Sequence, residues 1–194
     1  MLADEDALFH LNPGYRGRVV SRSGKLQKVL ITNRGEIARR FFLTLLEMDI
    51  PTVAVVTDPD RGQSWYEHAS EVVYIGDARN YVNPERLLAA VRLSQANAVY
   101  PGYGFLSESL NFARLLAAEG NVIFMGPKAE VMGRVADKLS ARSLAHACNV
   151  HLFPASGGLQ NAEEAVRAFE SMGGPALLKL NAGGGGKGMA IVQS

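Results

Sequence analysis

Regular alternation of apolar and polar positions begins at Lys28. Before it, residues 1 to about 26 show no sustained period and scatter Pro13, Gly14, Gly17 and Gly24 among charges, which predicts an extension lying over the surface. Val29-Leu30-Ile31-Thr32 is a β-branched run suited to a buried strand. It breaks at Asn33-Arg34-Gly35 into a helical pattern from Glu36 to Met48, with Ile37, Phe41, Leu45 and Met48 on one face. Pro51 opens a second strand, Thr52 to Val56, and Val72 to Ile75 reads as a third. Pro84 fits the first turn of a helix running to about Gln95. Ala98-Val99-Tyr100 is a strand ended by Pro101-Gly102, Ser107 is a candidate cap for a helix to about Glu119, and Val122 to Met125 is a further strand. Short apolar strands alternating with amphipathic helices predict an α/β fold, a Rossmann-like parallel sheet with helices on both faces. Both the Asn33 and the Tyr103 turns follow strands directly, so they belong at the same, C-terminal, edge of that sheet.

After Gly126-Pro127 the texture changes. Two helical segments, about 128–134 and 137–148, precede a stretch containing Pro154, Gly157 and Gly158. A helix from Ala162 to Met172, a strand from Ala176 to Leu180, a glycine run and a last strand, Met189 to Val192, complete the chain. The pattern divides it into an extension (1–26), a Rossmann-like domain (27–136) and an incomplete beginning of a second domain (137–194). Residues 182–194 are expected to be mobile, or else held by a neighbouring molecule, for want of partner strands.

Composition narrows the class. Of 194 residues, 47% are apolar and 20% charged, the balance of an ordinary globular protein. A formal net charge of +1 with interspersed signs offers no stripe for nucleic acid. The single cysteine, Cys148, has no internal disulfide partner; within Ala145-His146-Ala147-Cys148 it reads as a small core residue of a helix. Met1-Leu2-Ala3-Asp4-Glu5-Asp6 lacks the basic start and apolar region of a secretory signal, and no apolar run is long enough for a bilayer. The expected location is cytoplasmic, with the mitochondrial matrix the alternative in a eukaryote.

Candidate chemistry concentrates in Gly183-Gly184-Gly185-Gly186-Lys187-Gly188. Consecutive glycines let backbone N–H groups approach an anion unobstructed, and Lys179 and Lys187 supply charge that neutralises phosphate. A P-loop would need glycine where Asn181 stands and Ser or Thr where Gly188 stands. The dinucleotide pattern G-x-G-x-x-G matches formally at Gly183, Gly185 and Gly188, yet a strand pattern rather than a helix follows. What remains is a hairpin with a glycine tip folding over nucleotide phosphates, or a plain flexible loop.

Four segments, in order, resemble the biotin carboxylase family of ATP-grasp enzymes. They are Asn33-Arg34-Gly35-Glu36-Ile37-Ala38, Pro101 through Glu108, Phe124-Met125-Gly126-Pro127 with Asp137-Lys138, and Leu178-Lys179 through Gly188-Met189. The resemblance spans about residues 28 to 192. It implies a ligase in which ATP and bicarbonate form carboxyphosphate and the carboxyl group passes to carrier-bound biotin. It also implies that Lys138 and Lys179 contact ATP phosphates while Gly183 to Gly188 form a lid. The family's magnesium ligands, bicarbonate-binding arginine and catalytic lid residues match nothing in this sequence, so no catalytic or metal residue is assigned and the segment alone is expected to be inactive. Implied partners are a biotin carboxyl carrier domain and a carboxyltransferase domain or subunit, with a homodimer a further option: Arg40 and Glu47 match a helix used in the family's dimer contacts, and on sequence alone fit a solvated face equally well. No nucleic acid or membrane partner is implied.

Several positions depart from the family pattern. Tyr100 and Trp65 replace usual histidines, Ser70 a usual aspartate and Leu43 a basic residue common at the dimer surface, and Asn149 to Ser156 differs throughout. Asn33 to Glu36 reads more readily as a capped strand–helix turn than as an anion site, and Pro101 to Gly104 is at least as well explained as a sharp strand-end turn. Two other functions compete: a carbamoyl-phosphate-synthase-like ligase of the same architecture, and a non-catalytic assembly module of a multidomain carboxylase. The final carboxyl acceptor is not encoded in these motifs.

Overall fold

A computed structural model describes residues 9–11, 26–181 and 188–193. The chain divides into two compact units, Met1–Ala129 and Glu130–Ser194.

The first unit is built on a six-stranded sheet. Its strands are β1 (Phe9–Leu11), β2 (Val29–Ile31), β3 (Thr52–Thr57), β4 (Glu71–Gly76), β5 (Ala98–Tyr100) and β6 (Ile123–Phe124), in the order β1-β4-β3-β2-β5-β6. The five strands from β2 onward run parallel. β1 joins the edge antiparallel, with Phe9 opposite Val73 and Leu11 opposite Glu71. Within the segment expected as a surface extension, this short strand was not foreseen. Three residues carry too little period to be recognised, and an open edge of β4 supplies the pairing they lack.

Side-chain alternation along the parallel strands separates two cores. Leu30, Val53, Val55, Val73, Ile75 and Val99 face the helices α2 (Pro84–Ser94) and α3 (Leu110–Ala118), packing on Leu87, Val91, Phe112 and Leu116. Val29, Ile31, Ala54, Val56, Val72 and Ala98 face the other way, onto Ala38, Phe42 and Leu45 of α1 (Gly35–Glu47) and onto Trp65. Near-continuous apolar strands are therefore required, since both faces of the sheet are covered.

Local signals fix the helix starts. Asn83 accepts from the Arg86 N–H at 3.1 Å and Pro84 follows it, so α2 begins with a side-chain cap and a pre-set φ. The cap of α3 is Ser109, whose hydroxyl accepts from Phe112 N–H at 3.3 Å, and not Ser107. Residues 102–105 spend three left-handed conformations in the turn before it, which delays the helix by one capping position.

The second unit holds α5 (Lys138–Ala147), α6 (Ala162–Met172) and a hairpin of β7 (Ala176–Lys179) with β8 (Met189–Val192); α4 (Ala129–Arg134) straddles the division. β7 and β8 pair antiparallel from Ala176↔Val192 to Lys179↔Met189, so residues 189–192 do have a partner strand. Neither α5 nor α6 has a buried residue, and Leu177, Leu178 and Ile191 stand exposed. Cys148 is exposed as well, against the expectation of a core thiol, because the face of α5 that carries it meets no covering layer. Among the described residues no helix is long and apolar enough to cross a membrane.

Stability should follow this asymmetry. Phe42→Ala, which empties a fully buried site beside Trp65, is expected to cost about 3–5 kcal/mol. Leu177→Ala on the exposed hairpin should change stability by less than about 0.5 kcal/mol. Urea-unfolding midpoints of the two variants check the contrast; equal losses would contradict it.

Candidate functional site

The strand order reverses between β2 and β5. The chain runs outward from β2 through β3 to β4, then crosses back to place β5 on the other side of β2. In open α/β sheets that reversal leaves a crevice beyond the carboxyl ends of the two strands. Here the crevice lies between the Asn33 turn and the Pro101–Leu106 turn, which meet at one edge as the parallel topology requires. Asn33 is 1% exposed; its Nδ2 donates to the carbonyls of Pro101 at 2.8 Å and Tyr103 at 2.9 Å, and its Oδ1 accepts from Arg34 N–H at 2.9 Å. Gly102, at φ +66°, presses against the same side chain. A Cβ there would lie 2.8 Å from Asn33 Nδ2 and 2.7 Å from Ile37 Cγ2. Asn33 is thus more than the turn residue expected from the sequence: its amide spans the crevice.

A second group of side chains ties the same edge to β3 and β4. The Asp60 carboxylate is fully buried and accepts from Arg34 Nε at 2.9 Å, from Thr57 N–H at 3.3 Å and from the Thr57 hydroxyl. The Tyr81 hydroxyl lies 2.9 Å from Asp60 Oδ2 and 3.0 Å from the Val55 carbonyl. Burial, followed by the neighbouring Asp60 charge, pushes that hydroxyl well above the usual tyrosine range. The Tyr81 ring stacks on Phe105 with centroids 4.9 Å apart. Neither Asp60 nor Tyr81 stood out in the sequence. Asp58-Pro59-Asp60 reads as an ordinary loop, and only the fold reveals which of its carboxylates points inward.

In the second unit, Lys138 is the first residue of α5, directly after the cap Asp137. Asp137 accepts from the Ser140 N–H at 2.9 Å and its hydroxyl at 2.8 Å; these bonds hold the carboxyl below the usual aspartate range. Asn181 joins this helix start to the hairpin. Its carbonyl accepts from Lys138 Nζ at 3.4 Å and its side chain from Leu139 N–H at 3.2 Å. Lys179 ends β7 two residues earlier, so the structure brings Lys138 to the strand that carries Lys179. The base of the loop is closed by Leu180 N–H donating to the Gly188 carbonyl at 3.0 Å. Gly188 has φ +70°, a conformation that favours glycine, and a Cβ there would sit 2.4 Å from Leu180 Cδ1, so a side chain at this position would have to displace Leu180. Gly183, Gly184, Gly185, Gly186 and Lys187 lie outside the described residues. Asn181 is a site residue that the sequence reading missed; it entered there only as a mismatch to the P-loop glycine.

The unusual residues are absorbed by packing. Tyr100 stacks on Phe41 with centroids 3.5 Å apart, Trp65 is buried against Phe42, and Ser70 exchanges hydrogen bonds with Thr52. Leu43 is half-buried on α1.

Residues 25–132 match the family model for the biotin carboxylase N-terminal domain, and residues 137–194 the model for the carbamoyl-phosphate synthase L chain ATP-binding domain. The chain is 44% identical over 175 residues to the mitochondrial propionyl-CoA carboxylase alpha chain of Sus scrofa, covering 88% of this chain and 24% of that relative. It is 39% identical over 174 residues to the biotin carboxylase of Nostoc sp., covering 88% and 39%. Among solved structures, a biotin carboxylase–ATP-analogue complex from Campylobacter jejuni superposes with a TM-score of 0.83 at 36% identity, covering 87% of this chain and 39% of that one. The chain therefore spans between about a quarter and two-fifths of these relatives.

The raised Tyr81 pKa has a consequence for stability. In the folded chain the hydroxyl stays protonated, whereas in the unfolded chain it ionises near the ordinary value of about 10. Its contribution is complete below that pH and is lost as pH rises beyond it. Urea midpoints measured from about pH 8 to 11 should fall more steeply for the unaltered chain than for Tyr81→Phe. Parallel curves would refute the burial of a protonated hydroxyl.

Proposed function

Because this chain belongs to the biotin carboxylase N-terminal domain family, we propose that it is the N-terminal segment of an ATP-using biotin carboxylase. In this reading residues 27–136 form the Rossmann-like domain and 137–194 begin the ATP-grasp domain, with 1–26 preceding them. The observation that carries it is the junction of α5 with the hairpin. Asn181 fixes the Lys138 end of the helix to the strand bearing Lys179, at the base of a glycine run.

Phosphoryl transfer depends on positioning and charge neutralisation more than on covalent help from the protein. Lys138 and Lys179 supply positive charge at the foot of the loop, and Gly183 to Gly188, with Lys187, offer backbone N–H groups to phosphate oxygens. When bound, magnesium would neutralise phosphate charge. The resemblance places the ligands for that metal in the longer enzyme rather than among these residues. The first unit supplies the crevice between β2 and β5, filled by Asn33 rather than by a glycine phosphate cradle. We assign that edge to the non-nucleotide side of the reaction, bicarbonate and carrier-bound biotin. The carrier domain, a carboxyltransferase domain or subunit and a second copy are the proposed partners, and the cytoplasm or mitochondrial matrix the proposed location.

Lys138→Ala and Lys179→Ala in the longer enzyme should each lower ATP-dependent biotin carboxylation by at least about tenfold, the loss of one phosphate-neutralising contact. Near-normal kinetics for both would refute their roles. The 194-residue chain alone should neither bind Mg-ATP below micromolar concentration nor release phosphate in response to biotin, because its exposed lysines are screened by water. Calorimetric titration and a phosphate-release assay decide this; submicromolar binding or biotin-stimulated release would contradict it.

A further inference from the structure

We infer that Asn33 is a positioning residue for the non-nucleotide substrate, acting through the Pro101–Leu106 turn; this rests on the biotin carboxylase reading above. A turn that only reversed the chain would need neither a buried amide nor exposed aromatic rings. This one has both. Tyr103 is 66% and Phe105 43% exposed, at the rim where such sheets take ligands. Gly102, Gly104 and Phe105 all have positive φ, at +66°, +71° and +42°. For Phe105 that conformation is disfavoured and persists only where its surroundings impose it.

Contacts from both sides hold the turn, and the Tyr103 hydroxyl adds another by donating to Glu36 Oε1 at 3.4 Å. The Tyr81 ring stacks on Phe105 from the β4 side. From the β2 side, the two Nδ2 hydrogens of Asn33 are spent on the carbonyls of Pro101 and Tyr103, the residues that flank Gly102. The Oδ1 is spent on Arg34 N–H, which fixes the amide's orientation. Gly102 admits no Cβ because Asn33 and Ile37 already fill that space. The side chain therefore sets both the height and the direction of the turn. The lysines and the glycine run proposed for ATP belong to the second unit, so the effect of this side chain should fall on biotin and not on ATP.

Asn33→Asp is the discriminating variant. It keeps the shape and the acceptor for Arg34 but turns the paired donor into an oxygen facing two carbonyls. Gly102→Ala disturbs the same contact from the other side with Asn33 intact. In the longer enzyme each should raise the KM for free biotin at least about tenfold and leave the KM for ATP within about twofold. In the 194-residue chain, Asn33→Asp should speed hydrogen exchange of turn amides 103–106 at least about tenfold, with exchange in β3 unchanged. Because both variants break one contact, the double variant should be no worse than about the poorer single. Unchanged turn exchange would show that Asn33 does not hold the turn. Faster exchange with an unchanged biotin KM, or equal losses for biotin and ATP, would show that the turn does not position that substrate. An unaltered enzyme unable to carboxylate biotin would instead overturn the functional reading and remove the substrate assignment, and the exchange result would still decide whether Asn33 holds the turn.

Discussion

Everything in the first unit is organised around β2, a strand of three residues that is enclosed on four sides. Val29, Leu30 and Ile31 have no exposed surface; their edges are taken by β3 and β5, and their faces by α1 on one side and α2 and α3 on the other. Burying side chains of this size contributes about 1.5–3 kcal/mol each, and a strand without free edges leaves no backbone group unpaired. The position of β2 also decides the topology. With β3 and β4 on one side and β5 and β6 on the other, the crevice must open where β2 ends. The next residues along the chain, Thr32 and Asn33, are there whatever their identity.

That constraint explains which parts of the fold were legible. Strands buried on both faces require uninterrupted β-branched or apolar runs, and Val29 to Ile31, Val53 to Val56 and Val72 to Ile75 advertise themselves. Helix starts are written in short-range chemistry, so Asn83-Pro84 was readable and α6 matches the expected Ala162 to Met172. Features settled by tertiary partners were not readable. β1 exists because β4 has an open edge. Ser109 displaces Ser107 as the cap because the preceding turn is wound through left-handed conformations. Cys148 has the neighbours of a core residue but no layer above it.

The candidate sites divide along the same line. A glycine run and its lysines are conspicuous because composition alone sets them apart, whatever they touch. Asp60, Tyr81 and Asn181 have ordinary sequence surroundings and are tied to the site by residues 21 to 43 positions away, although Asp60 is also bonded to Thr57 three residues before it. A buried carboxylate is costly unless surrounded by donors. Asp60 meets that requirement with Arg34, Thr57 and Tyr81, which come from three different strand ends. Such a group ties the loops of a sheet edge into one arrangement, a role no local pattern can disclose.

The second unit shows the opposite physical regime. Helices without buried residues and a hairpin with apolar side chains on display cannot draw much stability from the hydrophobic effect, and an isolated two-stranded hairpin is marginal in water. What orders this unit is local and polar: the Asp137 cap on α5, the Asn161 cap on α6 and the Asn181 bonds between α5 and the hairpin. Contacts of that kind are worth about 1 kcal/mol apiece. They fix geometry over short distances without making a rigid body. Gly188 adds a restraint of a different kind at the same junction: at φ +70° it holds a conformation that favours glycine, and a Cβ there would have to displace the Leu180 side chain.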